Sequence, residues 1–117
     1  MTSLSAFAEV AALAGDPARA GMLHALMDGR ALTASELARV AGVTPQTASG
    51  HLARLATAGL LCVEKQGRHR YHRLASAAVA QMMESIMQVT SGRDPTRPPL
   101  TVGPRDAAVR TARTTPT

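Results

Sequence analysis

The sequence predicts a mainly α-helical fold carrying one small β-hairpin, in the order α-α-α-α-β-β-α. Three observations predict it. Two short helical stretches meet at a glycine turn between Thr33 and Leu61, and a strand-like period follows them at once, broken at Gln66-Gly67-Arg68. Apolar residues also recur at helical spacing on both sides of this block.

The central block is the most explicit. Thr33 is a good N-cap, and Glu36 three positions on completes a capping box, in which each side chain satisfies a backbone N–H at the other end. The helix it opens carries Leu37, Ala38, Val40 and Ala41 inward and stops at Gly42, which suits the left-handed conformation that ends a helix. The chain restarts with Thr44 as N-cap and Pro45 at the first helical position, where a missing N–H costs nothing. Ala48, Leu52 and Leu55 then form one stripe, leaving Gln46, Thr47, Ser49, Gly50, His51 and Arg54 off it. No acid stands between Thr44 and Leu61, so an anionic partner is not repelled. Two helices joined by a short glycine-containing turn have the geometry of a helix-turn-helix, whose second helix enters a DNA groove. The same pair also serves as an ordinary packing unit, so the flanking elements matter.

Upstream, Phe7, Val10, Ala11 and Leu13 line one side of a first helix from about Ser5 to Ala14. Asp16-Pro17 reads as the N-cap and first position of a second, with Met22, Leu23, Leu26 and Met27 inward and Asp28-Gly29 as its end. His24, between them, reads as a surface or partly buried histidine. Downstream, Leu61, Val63 and the run Tyr71 to Leu74 form two short strands about the Gln66-Gly67-Arg68 tip. Lys65, Arg68, Arg70 and Arg73 make this hairpin basic, opposed by Glu64, and put cations within reach of phosphates beside the groove. His69 and His72 are three apart on a strand, so they point to opposite faces and are expected at surface or phosphate-side positions. Ser76 to Thr90 makes a last helix with Val79, Met82, Met83, Ile86 and Met87 on one broad face, read as core or dimer packing rather than a thioether metal site.

The run Val43-Thr44-Pro45-Gln46-Thr47-Ala48-Ser49-Gly50-His51-Leu52-Ala53-Arg54-Leu55, followed by Ala58-Gly59-Leu60-Leu61, resembles the recognition helix and wing entry of the ArsR/SmtB family of bacterial repressors. Gly15-Asp16-Pro17-Ala18-Arg19 is similar to that family's Asp-Pro-Thr-Arg signature, with Ala18 where Thr is usual. The resemblance implies a winged helix-turn-helix that dimerises through its first and last helices, here Phe7, Val10 and the face bearing Val79, Met82, Met83 and Ile86. It also implies a twofold protein on an inverted-repeat operator, with half-sites roughly 34 Å apart, repressing transcription by covering the promoter. The family's familiar metal positions are not matched. Glu36-Leu37-Ala38-Arg39-Val40 has no cysteine, and Ser76, Ala78, Val89 and Gly92 align with the other set and ligate poorly. No metal and no cofactor is expected, and no inducer is legible.

Within this frame Gln46, Thr47 and Ser49 are the candidates for base edges, since amide and hydroxyl groups read major-groove donors and acceptors. Thr44 and His51 fall at the phosphate or groove margin, Pro45 is counted with the DNA-binding residues, Gly50 either permits close backbone approach or deletes a contact, and Arg54 reaches the DNA backbone. Lys65, Arg68 and Arg70 of the wing are expected on phosphates. Two other readings are open: a winged-helix module whose basic wing meets an acidic protein, and a redox or soft-metal sensor through Cys62. Cys62 itself reads as a small residue on a strand, because a sensor requires an exposed, low-pKa thiol.

Composition agrees with a polyanionic partner. The 117 residues carry a net charge of +5 and a pI near 11.0, with Phe7 and Tyr71 as the sole aromatics, so duplex DNA fits better than stacking on single-stranded bases. That length gives a modest core, which association as a homodimer would support. The opening MTSLSAFAEVAALAG lacks a basic start and is interrupted by Glu9, so it is not read as a secretory signal. No run approaches the roughly 18 apolar residues of a membrane span, and a single cysteine cannot close an internal disulfide, so a cytoplasmic protein with no membrane partner is expected. No Gly-rich phosphate loop, carboxylate pair or Cys/His nucleophile pair is present, so an enzyme is not expected. Residues 1–92 read as the DNA-binding and dimerisation domain and 93–117 as a flexible Pro/Thr/Arg-rich extension. That extension also resembles the linker of longer regulators of this type, which continue into a second domain.

Overall fold

The computed structural model describes residues 3–92; the extension expected over 93–117 lies outside the described residues. Helix α1 (Leu4–Gly15) starts at Ser3, whose hydroxyl accepts the Ala6 N–H, and ends where Asp16 turns extended. Asp16 then caps α2 (Pro17–Ala25) by accepting the Arg19 N–H at 3.0 Å, with Pro17 in the first turn as expected. Accepting that N–H also holds the Asp16 carboxyl below its ordinary pKa.

Strand β1 (Leu32–Thr33) leads into α3 (Ala34–Ala41). The capping box forms as the sequence predicts: Thr33 Oγ1 accepts the Glu36 N–H at 3.2 Å, and Glu36 Oε1 accepts the Thr33 N–H at 2.9 Å. The bond from the Thr33 N–H lowers the Glu36 pKa. Gly42 sits at φ +69°, the left-handed conformation that a side chain would strain, and its N–H returns to the Ala38 carbonyl. Helix α4 (Pro45–Thr57) restarts on Thr44, whose hydroxyl accepts the Thr47 N–H at 3.1 Å. The hairpin follows as β2 (Leu61–Gln66) and β3 (His69–Leu74), turning at Gly67-Arg68, and α5 (Ala77–Ser91) closes the described chain.

The core is one cluster. Met22, Leu23 and Leu26 meet Leu37 and Ala38 of α3, Ala48, Leu52 and Leu55 of α4, Leu60 and Leu61 at the wing entry, and Val79 and Met83 of α5. Burying a leucine of this kind stabilises the fold by about 1.5–3 kcal/mol. Helix α4 is thus pinned along the Ala48-Leu52-Leu55 stripe, and its opposite side is free.

Four expectations need correction. The order gains a strand: β1 pairs antiparallel with β3, Leu32 opposite His72 and Thr33 opposite Tyr71, giving a three-stranded sheet in the order β1-β3-β2. Two residues carry no readable period. Val40 is exposed rather than inward, because the inward face of α3 runs along Ala34, Leu37, Ala38 and Ala41 and Val40 lies off it. His72 is not a surface histidine: it is 7% exposed, bonded through Nδ1 to the Leu32 carbonyl at 3.3 Å, and lies on the sheet face turned toward Leu52 and Ala53 of α4. Its burial holds its pKa below the ordinary histidine value. Val79 and Met83, expected at a dimer interface, are turned into the protomer's own core and have little surface left for a partner.

Candidate nucleic-acid interface

Helix α4 presents a largely polar surface because both of its leucines, Leu52 and Leu55, are spent on the buried stripe. Gln46, Thr47, Ser49, Gly50 and Arg54 are exposed, and Thr44 and Pro45 open the same helix in exposed positions. The Thr44 hydroxyl donates to Thr47 Oγ1 at 3.0 Å, so this pair is internally engaged, whereas the side chains of Gln46 and Ser49 make no hydrogen bond among the described residues. An amide and a hydroxyl held on a capped, packed helix with their valences open are suited to reading base edges. His51 is only half exposed; its Nδ1 lies 3.0 Å from Nη1 of Arg19.

The hairpin brings its charges to bear on the same region. Strand register sets Leu61, Val63 and Lys65 on one face with Leu74, His72 and Arg70, and the base of that face is buried against the core. Lys65 and Arg70 are therefore directly opposite one another on the face turned toward α4. A cleft of about 390 Å³ lies between the two elements, with Ser49 and Thr57 on the helix side and Arg70 and Val63 on the hairpin side. Like charges directly opposite in a sheet are unfavourable unless an anion lies between or beside them. Arg68 sits in the turn, exposed. Arg73 differs: it falls on the other face and pairs with Glu64 at 3.3 Å. Glu64 thus neutralises the one wing cation that faces away from α4 and leaves Lys65, Arg68 and Arg70 uncompensated by any ion pair among the described residues.

A second surface is apolar. Helices α1 and α5 border a cleft of about 540 Å³ lined by Phe7, Val10, Ala11, Met82 and Ile86. Phe7 is 68% and Ile86 46% exposed, an unusual placement for side chains of this size. Cys62 is half-buried on β2 with Sγ 3.9 Å from the Ala75 carbonyl. No three His, Cys, Asp or Glu side chains gather into a metal-holding group among the described residues.

The comparisons with known proteins agree on the type of domain. A family model described as a helix-turn-helix domain matches residues 14–64. An uncharacterised HTH-type transcriptional regulator of Bacillus subtilis, YdfF, is 48% identical over 82 residues, which are 70% of this chain and 36% of that one. This chain therefore spans about a third of the YdfF length. The HTH-type transcriptional regulator CmtR of Mycobacterium tuberculosis is 32% identical over 94 residues, covering 80% of this chain and 79% of CmtR. The chain belongs to the ArsR/SmtB family of winged helix-turn-helix transcriptional regulators. Both of these relatives are HTH-type transcriptional regulators. Among solved ArsR-family structures, the homodimeric winged helix-turn-helix DNA-binding domain of a possible regulator from Mycobacterium bovis superposes with a TM-score of 0.69 at 26% identity, covering 75% of this chain and 81% of that domain. The structure of CmtR, described as a cadmium metal-sensor, gives 0.59 at 30% identity, covering 80% and 97%.

In this ArsR/SmtB chain the residues expected at the DNA surface fall on two adjoining elements, α4 and the wing, and one expected residue, His51, is turned partly aside. Sequence reasoning missed the contact of Arg19 with His51. Arg19 stands 32 residues from His51, and nothing local to either residue signals the contact. No helix of the described residues is long and apolar enough to cross a membrane.

Proposed function

We propose that the chain is a cytoplasmic, sequence-specific regulator that binds an inverted-repeat operator in double-stranded DNA as a homodimer and represses transcription by covering the promoter. The observation that carries this reading is the pairing of open hydrogen-bonding side chains on α4 with uncompensated cations on the facing side of the wing. Gln46, Thr47 and Ser49 are assigned to base edges, Thr44, Pro45, His51 and Arg54 to the groove margin and phosphates, and Gly50 to close backbone approach. Lys65, Arg68 and Arg70 take phosphates beside the groove.

The homodimer is supported by the apolar α1/α5 cleft and by the homodimeric M. bovis neighbour. Phe7, Val10, Met82 and Ile86 form the contact, without Val79 and Met83. Residues 1–92 are the functional domain in this reading, and 93–117 add non-specific affinity through their arginines. No metal is assigned, although CmtR is a cadmium sensor; release of DNA by micromolar zinc or cadmium would overturn that part. Replacing Gln46 with Ala should cost about 1–3 kcal/mol at one operator position and spare binding to random duplex. Equal loss on both DNAs, measured by fluorescence anisotropy, would reject the base-reading assignment.

A further inference from the structure

Arg19 makes three contacts that tie separate elements together. Its backbone N–H is capped by Asp16 at 3.0 Å. Its Nε–H donates to the Leu13 carbonyl at 2.8 Å, in the last turn of α1, where carbonyls have no helical N–H to accept from. Its Nη1 lies 3.0 Å from Nδ1 of His51, midway along α4. A guanidinium has five N–H donors and no acceptor, so His51 Nδ1 is the acceptor in this contact and carries no proton. The ring proton is then on Nε2, on the far side of the imidazole, where it has no hydrogen-bond partner among the described residues.

The position of His51 decides what that N–H is for. Thr44 and His51 stand seven residues apart, two turns along one flank of α4, beside the buried Ala48-Leu52-Leu55 stripe and off the Gln46-Ser49 surface. A helix lying in a groove presents such a flank to the sugar-phosphate backbone at the groove's edge. We propose that Arg19 is a positioning residue for DNA binding: it holds His51 as the Nε2–H tautomer and fixes the ring so that this N–H donates to a phosphate oxygen. The inference rests on the reading of α4 as the DNA-entering helix. The bond from Arg19 to Leu13 makes the end of α1 part of the same support, so the helix assigned to dimer contact also helps to hold the phosphate donor.

The test uses the full chain and a duplex selected by the wild-type protein. Arg19→Met and His51→Ala should each weaken binding about 5- to 30-fold, on random duplex as well as on the selected one, because the contact is to phosphate. The double variant should bind no more weakly than His51→Ala alone, since Arg19 acts through the ring. His51→Gln, whose amide N–H stands near the place of Nε2–H, should recover part of the lost affinity. His51→Asn, which reaches only the place of Nδ1, should not. Imidazole ¹⁵N resonances should show a bare Nδ1 and a protonated Nε2 in the wild type. Multiplying losses in the double variant would make Arg19 itself the phosphate ligand and overturn the proposal, as would recovery by Asn equal to that by Gln. A His51 ring protonated on Nδ1 would overturn it even if no duplex were retained, the separate result that would reject the reading of α4.

Discussion

The wing supplies the most quantitative prediction. Lys65 and Arg70 are opposite one another in register, exposed, and on the face turned toward α4, whereas Arg73 is on the other face and paired with Glu64. The double substitution Lys65→Gln, Arg70→Gln removes two cations from each protomer. Each phosphate contact contributes about 0.9 to the slope of log K against log salt, so a dimer that loses four such contacts should lose about 3.6 from its slope. Without DNA the same variant should be slightly more stable, by a few tenths of a kcal/mol, because a cross-strand pair of like charges has been removed from an exposed site. Arg73→Gln should leave the slope nearly unchanged. The assay is anisotropy of a labelled duplex titrated at several salt concentrations between about 50 and 200 mM, a range that resolves such slopes. An unchanged slope in the double variant, or an equal fall in Arg73→Gln, would refute the assignment of the α4-facing side of the hairpin to phosphate.

Two further perturbations test other parts of the account. Phe7→Asp or Ile86→Asp places a charge in the α1/α5 cleft and should convert a dimer to monomers in sedimentation at micromolar concentration; a persistent dimer would move the interface elsewhere. His72 is buried with its pKa lowered, so the unfolded chain binds its proton more readily than the folded one, and stability present above the unfolded value near 6.5 is lost as pH falls through the folded value. The midpoint of thermal unfolding should therefore drop between pH 7.5 and 5, before the lowered carboxyls of Asp16 and Glu36 titrate. His72→Asn, which keeps a donor for the Leu32 carbonyl, should flatten that dependence; an equal slope in the variant would show that another group titrates there.

What was legible in the sequence was local. The Thr33-Glu36 capping box, Gly42, and the Thr44-Pro45 restart act over three or four residues, and each forms as its residue types dictate. The Ala48-Leu52-Leu55 stripe likewise followed from helical spacing, and the wing from the glycine turn between alternating runs. What was not legible depended on distant partners. His72 is buried on the sheet face turned toward α4 and bonded to the carbonyl of Leu32, 40 residues away, and the two-residue strand that supplies it leaves no period to read. The broad apolar face of α5 divides between an inward Val79 and Met83 and an outward Ile86, a split set by where α5 lies on the rest of the fold. The basic residues of the hairpin were evident, but not that Glu64 cancels Arg73 and leaves the α4-facing cations open. Arg19 was visible only as part of a motif, and its contact with His51 joins two helices 32 residues apart in the chain.

In the proposed function α4 reads a particular duplex while the wing holds its phosphates. That function is tested most directly by incubating the purified chain with fragmented DNA from its source genome at physiological salt and sequencing the retained fragments. Enrichment of an inverted repeat with half-site centres about one helical turn apart is expected, and loss of that enrichment in Gln46→Ala. Retention of random fragments without a shared repeat, or of no fragment at all, would contradict it.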